Sequence, residues 1–463
     1  MPKAYLALVL LGLLAFFNAI RHPFVHDDVV FILENPQINR LDQWDKAFAI
    51  SAARGGINTY YRPVLEILYR FEYRLFGPNP SGFHFFNCLV HIVNGLLLFS
   101  LLQRLGLTQA AAWGVSLLFL IHPVQTEAVS CISGISNLWM ALGVLLALHA
   151  YLNRWYVASL CCLAMACFSK EQAVMFLPLM MVIDISRGKN NFRWWGSALL
   201  AILVFLLVRG LVTGSSLVRD IMFSPGELYL RLAAIPRVLG MDLRLIFLPF
   251  DLHYYRSTDI LQSNSLAWGL ALPAVMGLYL VFRRWPQTRS TLILGVGWFL
   301  AALLPVLNIA PLINEYSFIL TAEHFLYLPI IGILIIAVCA AEHFSKPWKK
   351  VAIAIAVSGC LFLTWYQNTF WNGEIVLFER MMRFEPDFGR GHLLLAQAYL
   401  AGGRLNEASV HFAKSYAIMS GYARKASNKV AKDFYLSFMK QILFDWARCE
   451  RARRMLYVLG HYH

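Results

Sequence analysis

Charge is what this sequence has least of. Asp, Glu, Lys and Arg make up 14% of its 463 residues, against roughly 25% in a soluble globular chain. With 59% apolar residues and a mean hydropathy of +0.57, that shortage excludes a soluble enzyme. Long polar tracts are missing as well and aromatics reach 14%, which excludes a disordered chain. The eight cysteines include no CxxC pair and no Cys/His ligand spacing. Seven of them (Cys88, Cys131, Cys161, Cys162, Cys167, Cys339, Cys360) fall in apolar runs and read as small packing residues. A net charge of +14 would point to nucleic acid in a soluble protein. Here the basic residues sit between apolar runs and no nucleic-acid partner is expected.

What is present is apolar length. Runs approaching the thickness of a bilayer begin at 4–20, 85–102, 109–121, 130–152, 155–168, 172–185, 194–212, 266–282, 290–307, 322–341 and 350–367. The expected fold is therefore all-α, a polytopic membrane protein of about eleven spans. With the N-terminus inside, Arg104, Arg154, the group Arg187, Lys189 and Arg193, the group Arg283, Arg284 and Arg289, and Lys346, Lys349 and Lys350 all become cytoplasmic. Two long loops, 21–84 and 213–265, are then extracytoplasmic, together with short ones near 122–129, 169–171 and 308–321. The first run is expected to stay in place, since no small-x-small cleavage site follows it.

The chain divides at about 367, giving a membrane domain 1–367 and a polar, helical domain 368–463 on the outer side. Within the latter, 391–418 has helix–turn–helix spacing: Leu395 and Tyr399, Gly402 and Gly403 in the turn, then Ala408 and Phe412. It resembles one tetratricopeptide repeat, and Phe378 to Pro386 resembles the tail of a preceding one. Residues 421–463 are basic and read as a solvated helix face, with contact to anionic lipid head groups as the second reading.

Ionisable residues at membrane boundaries are the most informative feature, because charge there is expensive. Asp27 and Asp28 follow the first run directly. Two adjacent carboxylates at a partly dry interface raise one pKa, which suits a general base or a sugar-hydroxyl acceptor; the simpler reading is an N-cap pair. His122 and Glu127, then Lys170 and Glu171, occupy the next outer boundaries. Lys170 breaks the basic-inside pattern, so it either holds a phosphate or pairs with Glu171 or Glu127. Tyr60, Tyr61 and Arg62 offer contacts to a sugar or phosphate, and Glu315, Glu323, His324 and Tyr327 open the tenth run, while Asp251, His253 and Arg256 lie in the second long loop. His84, Asn87, His91 and Asn94, at intervals of 3, 4 and 3, form one polar stripe on the second run, read first as interhelical hydrogen bonding. Groups gathered at outer helix ends, without related halves, fit an active site on the extracytoplasmic face better than a channel or transporter.

The motifs that carry these groups are "DD" (Asp27, Asp28), "NP" (Asn35, Pro36), "YRP" (Tyr61 to Pro63), "GFHFFNCLVHIVN" (82–94), "HPVQTEAV" (122–129), "KEQ" (170–172) and "AEHFLYLP" (322–329). In this order, and with the terminal repeat, the chain resembles the transmembrane and tetratricopeptide-repeat-containing protein O-mannosyltransferases and their bacterial relatives, within the C-superfamily of membrane glycosyltransferases (GT-C). One departure is the stretch "GISNLW", with Ile135 and Asn137 where the family commonly carries Arg and Asp. The hexose is left unassigned.

The resemblance implies an inverting transfer of one sugar from a polyprenyl-phosphate carrier to an outer-face acceptor. It implies Asp27 as the base and Asp28 as the positioning carboxylate, or the reverse. Lys170 leads as the cation on the phosphate, ahead of Arg62 and Arg256, with Glu171, His122, Glu127, Tyr61, Glu323 and His324 around the donor. No cofactor is expected; a divalent ion on Asp27, Asp28 and Glu127 is the less favoured alternative. Since helical repeats hold extended peptides, the expected acceptor is a Ser or Thr of a polypeptide held by 373–460. A lipid or surface-polysaccharide acceptor, and a non-catalytic scaffold, are the alternatives. A bacterial inner membrane, with the site on the periplasmic side, is the expected location.

Overall fold

The structure, a computed structural model, describes residues 2–50, 61–213, 225–257, 289–307, 319–342, 345–425 and 429–460, with 276, 283 and 309 in addition. Most of the run at 266–282, and Tyr60 and Glu315, lie outside the described residues. Helix dominates; the extended pieces are two and three residues long, Arg256–Ser257 and Ile319–Thr321. The chain forms two compact units, Met1–Leu252 with Ile260–Thr369, and His253–Asp259 with Phe370–His463.

The expectation of about eleven spans includes the run at 266–282, most of which lies outside the described residues. Among the described residues six helices are long and apolar enough to cross a membrane: Pro2–Ala19, Pro80–Arg104, Ile132–Leu152, Phe192–Thr213, Arg289–Val306 and Lys350–Trp371. They make the chain an integral membrane protein. Gln109–Ile121, Tyr156–Ser169 and Ile330–Ala341 are apolar but shorter, and the run at 172–185 becomes a 3-10 turn, Glu171–Met175, followed by the helix Phe176–Ser186. The cause is local. Thirteen helical residues rise only about 20 Å, less than the roughly 30 Å of a hydrocarbon core. Pro123 ends Gln109–Ile121 by pushing His122 into extended backbone (φ −73°, ψ 132°). Lys170, also extended, ends Tyr156–Ser169. Part of the second long loop is also helical, as Pro225–Phe247.

Small residues let these helices approach. A Cβ on Gly332 would fall 2.2 Å from the Gly295 carbonyl oxygen, and one on Gly95 would fall 2.6 Å from the Leu120 side chain, the close crossing that small residues permit in lipid. Polar side chains fasten the ends: Trp365 Nε1 donates to Leu14 O at 2.7 Å, and Asn368 Nδ2 to Ala15 O at 3.1 Å.

The second unit is built on the helices Glu374–Phe384, Gly389–Ala401, Leu405–Lys425 and Lys429–Gly460. The helix–turn–helix expected at 391–418 is present, with Gly403 at φ +73° in the turn, a left-handed backbone that glycine adopts without a Cβ clash. Phe378, Ala408 and Phe412 are buried between the helices.

Candidate functional site

The segment between Gln109–Ile121 and the span beginning at Ile132 organises the first unit's buried polar groups. It runs through a 3-10 turn (Pro123–Gln125), one helical turn (Thr126–Ser130) and a second 3-10 turn (Ile132–Gly134). A Cβ on Gly134 would lie 2.4 Å from Ala128 O and 2.9 Å from Glu127 O, so only glycine lets the segment fold on itself.

Asp28 is anchored on that segment. Its Oδ1 accepts from the Ser133 N–H at 2.7 Å and its Oδ2 from the Val25 N–H at 3.1 Å, while Cys131 Sγ stands 3.7 Å from Oδ1. The side chain is fully buried. Asp28 makes no capping bond to the following turn, Val29–Leu33, so the N-cap reading does not hold. Burial pushes its carboxyl up to about 7, with Asp27 adding to the rise and the Ser133 and Val25 N–H groups opposing it. Asp27 differs: its side chain is 39% exposed, and His26 Nε2 lies 3.4 Å from Oδ1. His26 has φ +49°, a left-handed backbone uncommon for a residue with a Cβ and enriched at functional sites. One neighbour is a sequestered acid and the other an accessible carboxylate.

A second cluster is cationic. Lys170 is buried, and its Nζ donates to Asn137 Oδ1 at 2.7 Å. Burial and then the Arg62 charge lower its pKa to about 7, against Glu171 and Glu127. Arg62 holds Glu171 in a fork, Nε to Oε2 at 3.1 Å and Nη2 to Oε1 at 2.6 Å. Against the upward push of burial, that guanidinium takes the Glu171 carboxyl down to about 2. Glu127 accepts from the His324 backbone N–H at 2.9 Å, and its Oε1 lies 2.8 Å from His324 Nδ1. Arg62, Lys170, Glu171, Glu127 and His324 are thus brought together, and the hydrogen bond from Lys170 goes to a neutral acceptor.

Other expected site residues have structural work. His122 takes the Val124 N–H on Nδ1 at 3.2 Å and reaches Ile246 O from Nε2 at 3.0 Å; burial lowers its pKa to about 4, so the ring is neutral. Tyr61 packs edge-on to Phe168 with ring centres 5.9 Å apart. Glu323 is buried in the turn Glu323–Leu326. Arg256 lies in the second unit, buried, with Nη2 3.4 Å from His253 Nδ1. The stripe on Pro80–Arg104 joins segments of the first unit: His84 Nε2 to His22 O at 3.1 Å, Asn87 Nδ2 to Cys131 O at 3.0 Å, His91 Nδ1 to the Tyr327 hydroxyl at 2.7 Å, and Asn94 Nδ2 to Leu138 O at 2.9 Å.

Sequence reasoning missed Ser133, His26 and Asn137 as parts of the site. Ser133 acts through its backbone, and nothing in its side chain signals that. The glycine at 134, directly before the helix Ile135–Leu152, is the one trace left in the sequence. Among the described residues no group of three His, Cys, Asp or Glu side chains converges as a metal site.

No family model matches the chain. Curated relatives do. A protein O-mannosyl-transferase of Caenorhabditis elegans is 24% identical over 436 residues, 88% of this chain and 61% of that protein. The Drosophila melanogaster protein O-mannosyl-transferase Tmtc3 is 23% identical over 522 residues, covering 90% and 55%. The Mus musculus protein O-mannosyl-transferase TMTC1 is 32% identical over 149 residues, 30% of this chain and 15% of that one. The chain thus spans 61% and 55% of the two relatives that it matches along most of its length. Among solved structures, that of ArnT from Cupriavidus metallidurans in the apo state is a distant likeness, with a TM-score of 0.39 and 16% identity over 93% of this chain and 84% of that one. By its motifs and by these relatives, the chain resembles the protein O-mannosyl-transferases along most of its length.

Proposed function

We propose that the chain is a membrane glycosyltransferase that moves one sugar from a polyprenyl-phosphate carrier to the hydroxyl of an extracytoplasmic acceptor, a serine or threonine of a protein. The observation that carries this reading is the division of labour between Asp27 and Asp28. A hydroxyl is a weak nucleophile until a carboxylate takes its proton, and Asp27 is the accessible carboxylate of the pair. Asp28, pinned by two backbone N–H groups, fixes the turn that presents it.

In the proposed step the acceptor oxygen bonds to the anomeric carbon from the face opposite the phosphate. The bond from that carbon to the phosphate oxygen breaks, the hydroxyl proton passes to Asp27, and the carrier leaves as its phosphate. A cation offsets the charge growing on that leaving group. Lys170 fits, because Arg62 is taken up by Glu171 while the ammonium keeps N–H donors beyond the one given to Asn137. No cofactor enters the scheme. The names of the curated relatives support the same class of reaction, and the helical second unit would hold the polypeptide. A bacterial inner membrane with a periplasmic site remains the proposed setting.

The test is sugar transfer in membranes from radiolabelled polyprenyl-phosphate sugars, following label into protein and lipid fractions. Label in protein that disappears with Asp27→Asn supports the reading. Label in lipid or polysaccharide alone would overturn the protein acceptor. Absence of transfer, with variants that still complement a deletion strain, would leave a scaffold instead.

A further inference from the structure

The terminal helix Lys429–Gly460 sorts its side chains by sign. Asp445 turns inward, and Glu450, with 36% of its side chain exposed, stands at the border of that side and is held there by its neighbours. Asp445 is buried and accepts from Gln397 Nε2 at 2.8 Å, and Glu450 accepts from Ser409 Oγ and Arg453 Nη1, both at 2.7 Å. Ile442 and Cys449 are buried on the same side, and Trp446 Nε1 donates to Ser409 Oγ at 3.0 Å. Residues 442, 445, 446 and 449 recur at helical spacing, so one face is committed to the neighbouring helices.

The opposite face is built differently. Leu436, Leu443 and Phe444 are exposed, the last by 63%, and Lys440, Arg451 and Arg454 are exposed beside them. Arg448 comes no nearer than 3.8 Å to the inward-facing Asp445. Among the described side chains from 436 to 454 this face carries no acid. A face meant only for water mixes both signs and keeps large apolar groups out. Leucine and phenylalanine among lysines and arginines make the pattern of a helix lying in the plane of a membrane surface, the apolar groups at the acyl boundary and the long basic stems reaching back to the head groups.

We propose that this face docks on anionic phospholipid, with Leu443 and Phe444 seated below the head groups. Charge complementarity selects that occupant: a zwitterionic surface gives the cations nothing to neutralise. Each Lys or Arg close to an anionic surface favours the docked state roughly fivefold. The inference is independent of any transferase activity.

The experiment places a fluorescent amino acid at Ala447, an exposed position on this face, in the 463-residue chain. The protein goes into nanodiscs of phosphatidylcholine alone, or of phosphatidylcholine with phosphatidylglycerol as about a quarter of the lipid, both carrying a trace of acyl-chain spin-labelled quencher lipid. Expected is strong quenching in the anionic discs, weak quenching in the zwitterionic ones, and reversal by salt. The triple variant Lys440→Gln, Arg451→Gln, Arg454→Gln is expected to lower the docked-to-free ratio by roughly a hundredfold. Leu443→Ser with Phe444→Ser should abolish quenching at unchanged melting temperature, since both side chains are exposed. Equal quenching in the two lipids, or none in either, overturns the proposal. So does protection of the probe by a polyglutamate peptide in detergent without any quenching in discs, which would assign the face to an acidic protein partner.

Discussion

Lys170 donates from Nζ to Asn137 Oδ1 at 2.7 Å, and both residues are buried. An amide oxygen fixes the amine without neutralising it, which leaves the charge available to a phosphate. The amine's pKa lies at about 7, so its charge is present below neutrality and is lost as pH rises. The phosphodiester proposed as the donor does not titrate in that range. The KM for the donor is therefore expected to rise about tenfold per pH unit above roughly 7. Lys170→Arg should move that rise to higher pH, and Asn137→Asp, which adds a negative charge beside the amine, should do the same. Lys170→Met should give weak, pH-independent binding. A wild-type KM that is flat from about pH 6 to 9 would remove Lys170 from the phosphate.

Asp27 and Asp28 are expected to fail differently when each becomes asparagine. Asp27→Asn removes the accessible carboxylate proposed as the base and should lower transfer by about two to four orders of magnitude, with the melting temperature unchanged. Asp28→Asn turns an amide N–H toward a backbone N–H and leaves one of Ser133 or Val25 without an acceptor, at about 1–3 kcal/mol. Stability also separates them. A carboxyl raised to about 7 in the fold contributes stability that is fully present below its ordinary range and is lost as pH rises through 7. Thermal unfolding of the solubilised wild type should lose stability between about pH 4 and 7, and Asp28→Asn should flatten that slope.

The Arg62–Glu171 fork makes a sharper stability prediction. Arg62→Ala leaves a buried carboxylate unpaired and is expected to lower stability by about 3–5 kcal/mol. Arg62→Met with Glu171→Met removes both charges, and it should recover most of that loss. Because the Glu171 carboxyl is held at about 2, its contribution is present above the ordinary carboxylate range and fades only as pH falls toward 2. A double-mutant cycle read by thermal unfolding at neutral pH checks both statements; a double variant no more stable than Arg62→Ala would show that the fork does not act as a pair.

The helical membrane architecture and the terminal hairpin were legible because both rest on periodicity: apolar length for the one, Gly402 and Gly403 between two amphipathic runs for the other. The exact helix ends were not, because composition at 109–121, 156–169 and 330–341 gives no sign of where Pro123, Lys170 or Pro329 bounds a helix. Asp27, Asp28 and Lys170 stood out as charges where charge is expensive. Their partners did not: Asp28 is held by a backbone N–H 105 residues away, and Asn137 differs from any interhelical asparagine only by the lysine opposite it. Arg62 offered the right chemistry, yet its pairing with Glu171 across 109 residues is a fact of packing that no local pattern encodes. The two backbone groups that the His122 ring spans are likewise set by packing and leave no mark in its sequence neighbourhood.

Gly134 tests whether the segment around 122–137 is the scaffold of the site. Its missing Cβ is what allows Ala128 O to approach within 2.4 Å of where that carbon would be. Gly134→Ala must push the segment apart by several tenths of an ångström. The displaced neighbours are Ser133, whose N–H holds Asp28 at 2.7 Å, and Glu127, which holds His324. Both halves of the site move together, and transfer should fall by up to about a hundredfold, the effect of a misplacement on the order of 1 Å. Gly196→Ala is the control, on the helix Phe192–Thr213, with open space where its Cβ would go. It should leave transfer unchanged and raise stability by up to about 1 kcal/mol, because alanine is the better helix former. If Gly134→Ala instead retains full transfer with a lowered melting temperature, the segment supports the fold without setting the geometry of Asp27 and Asp28.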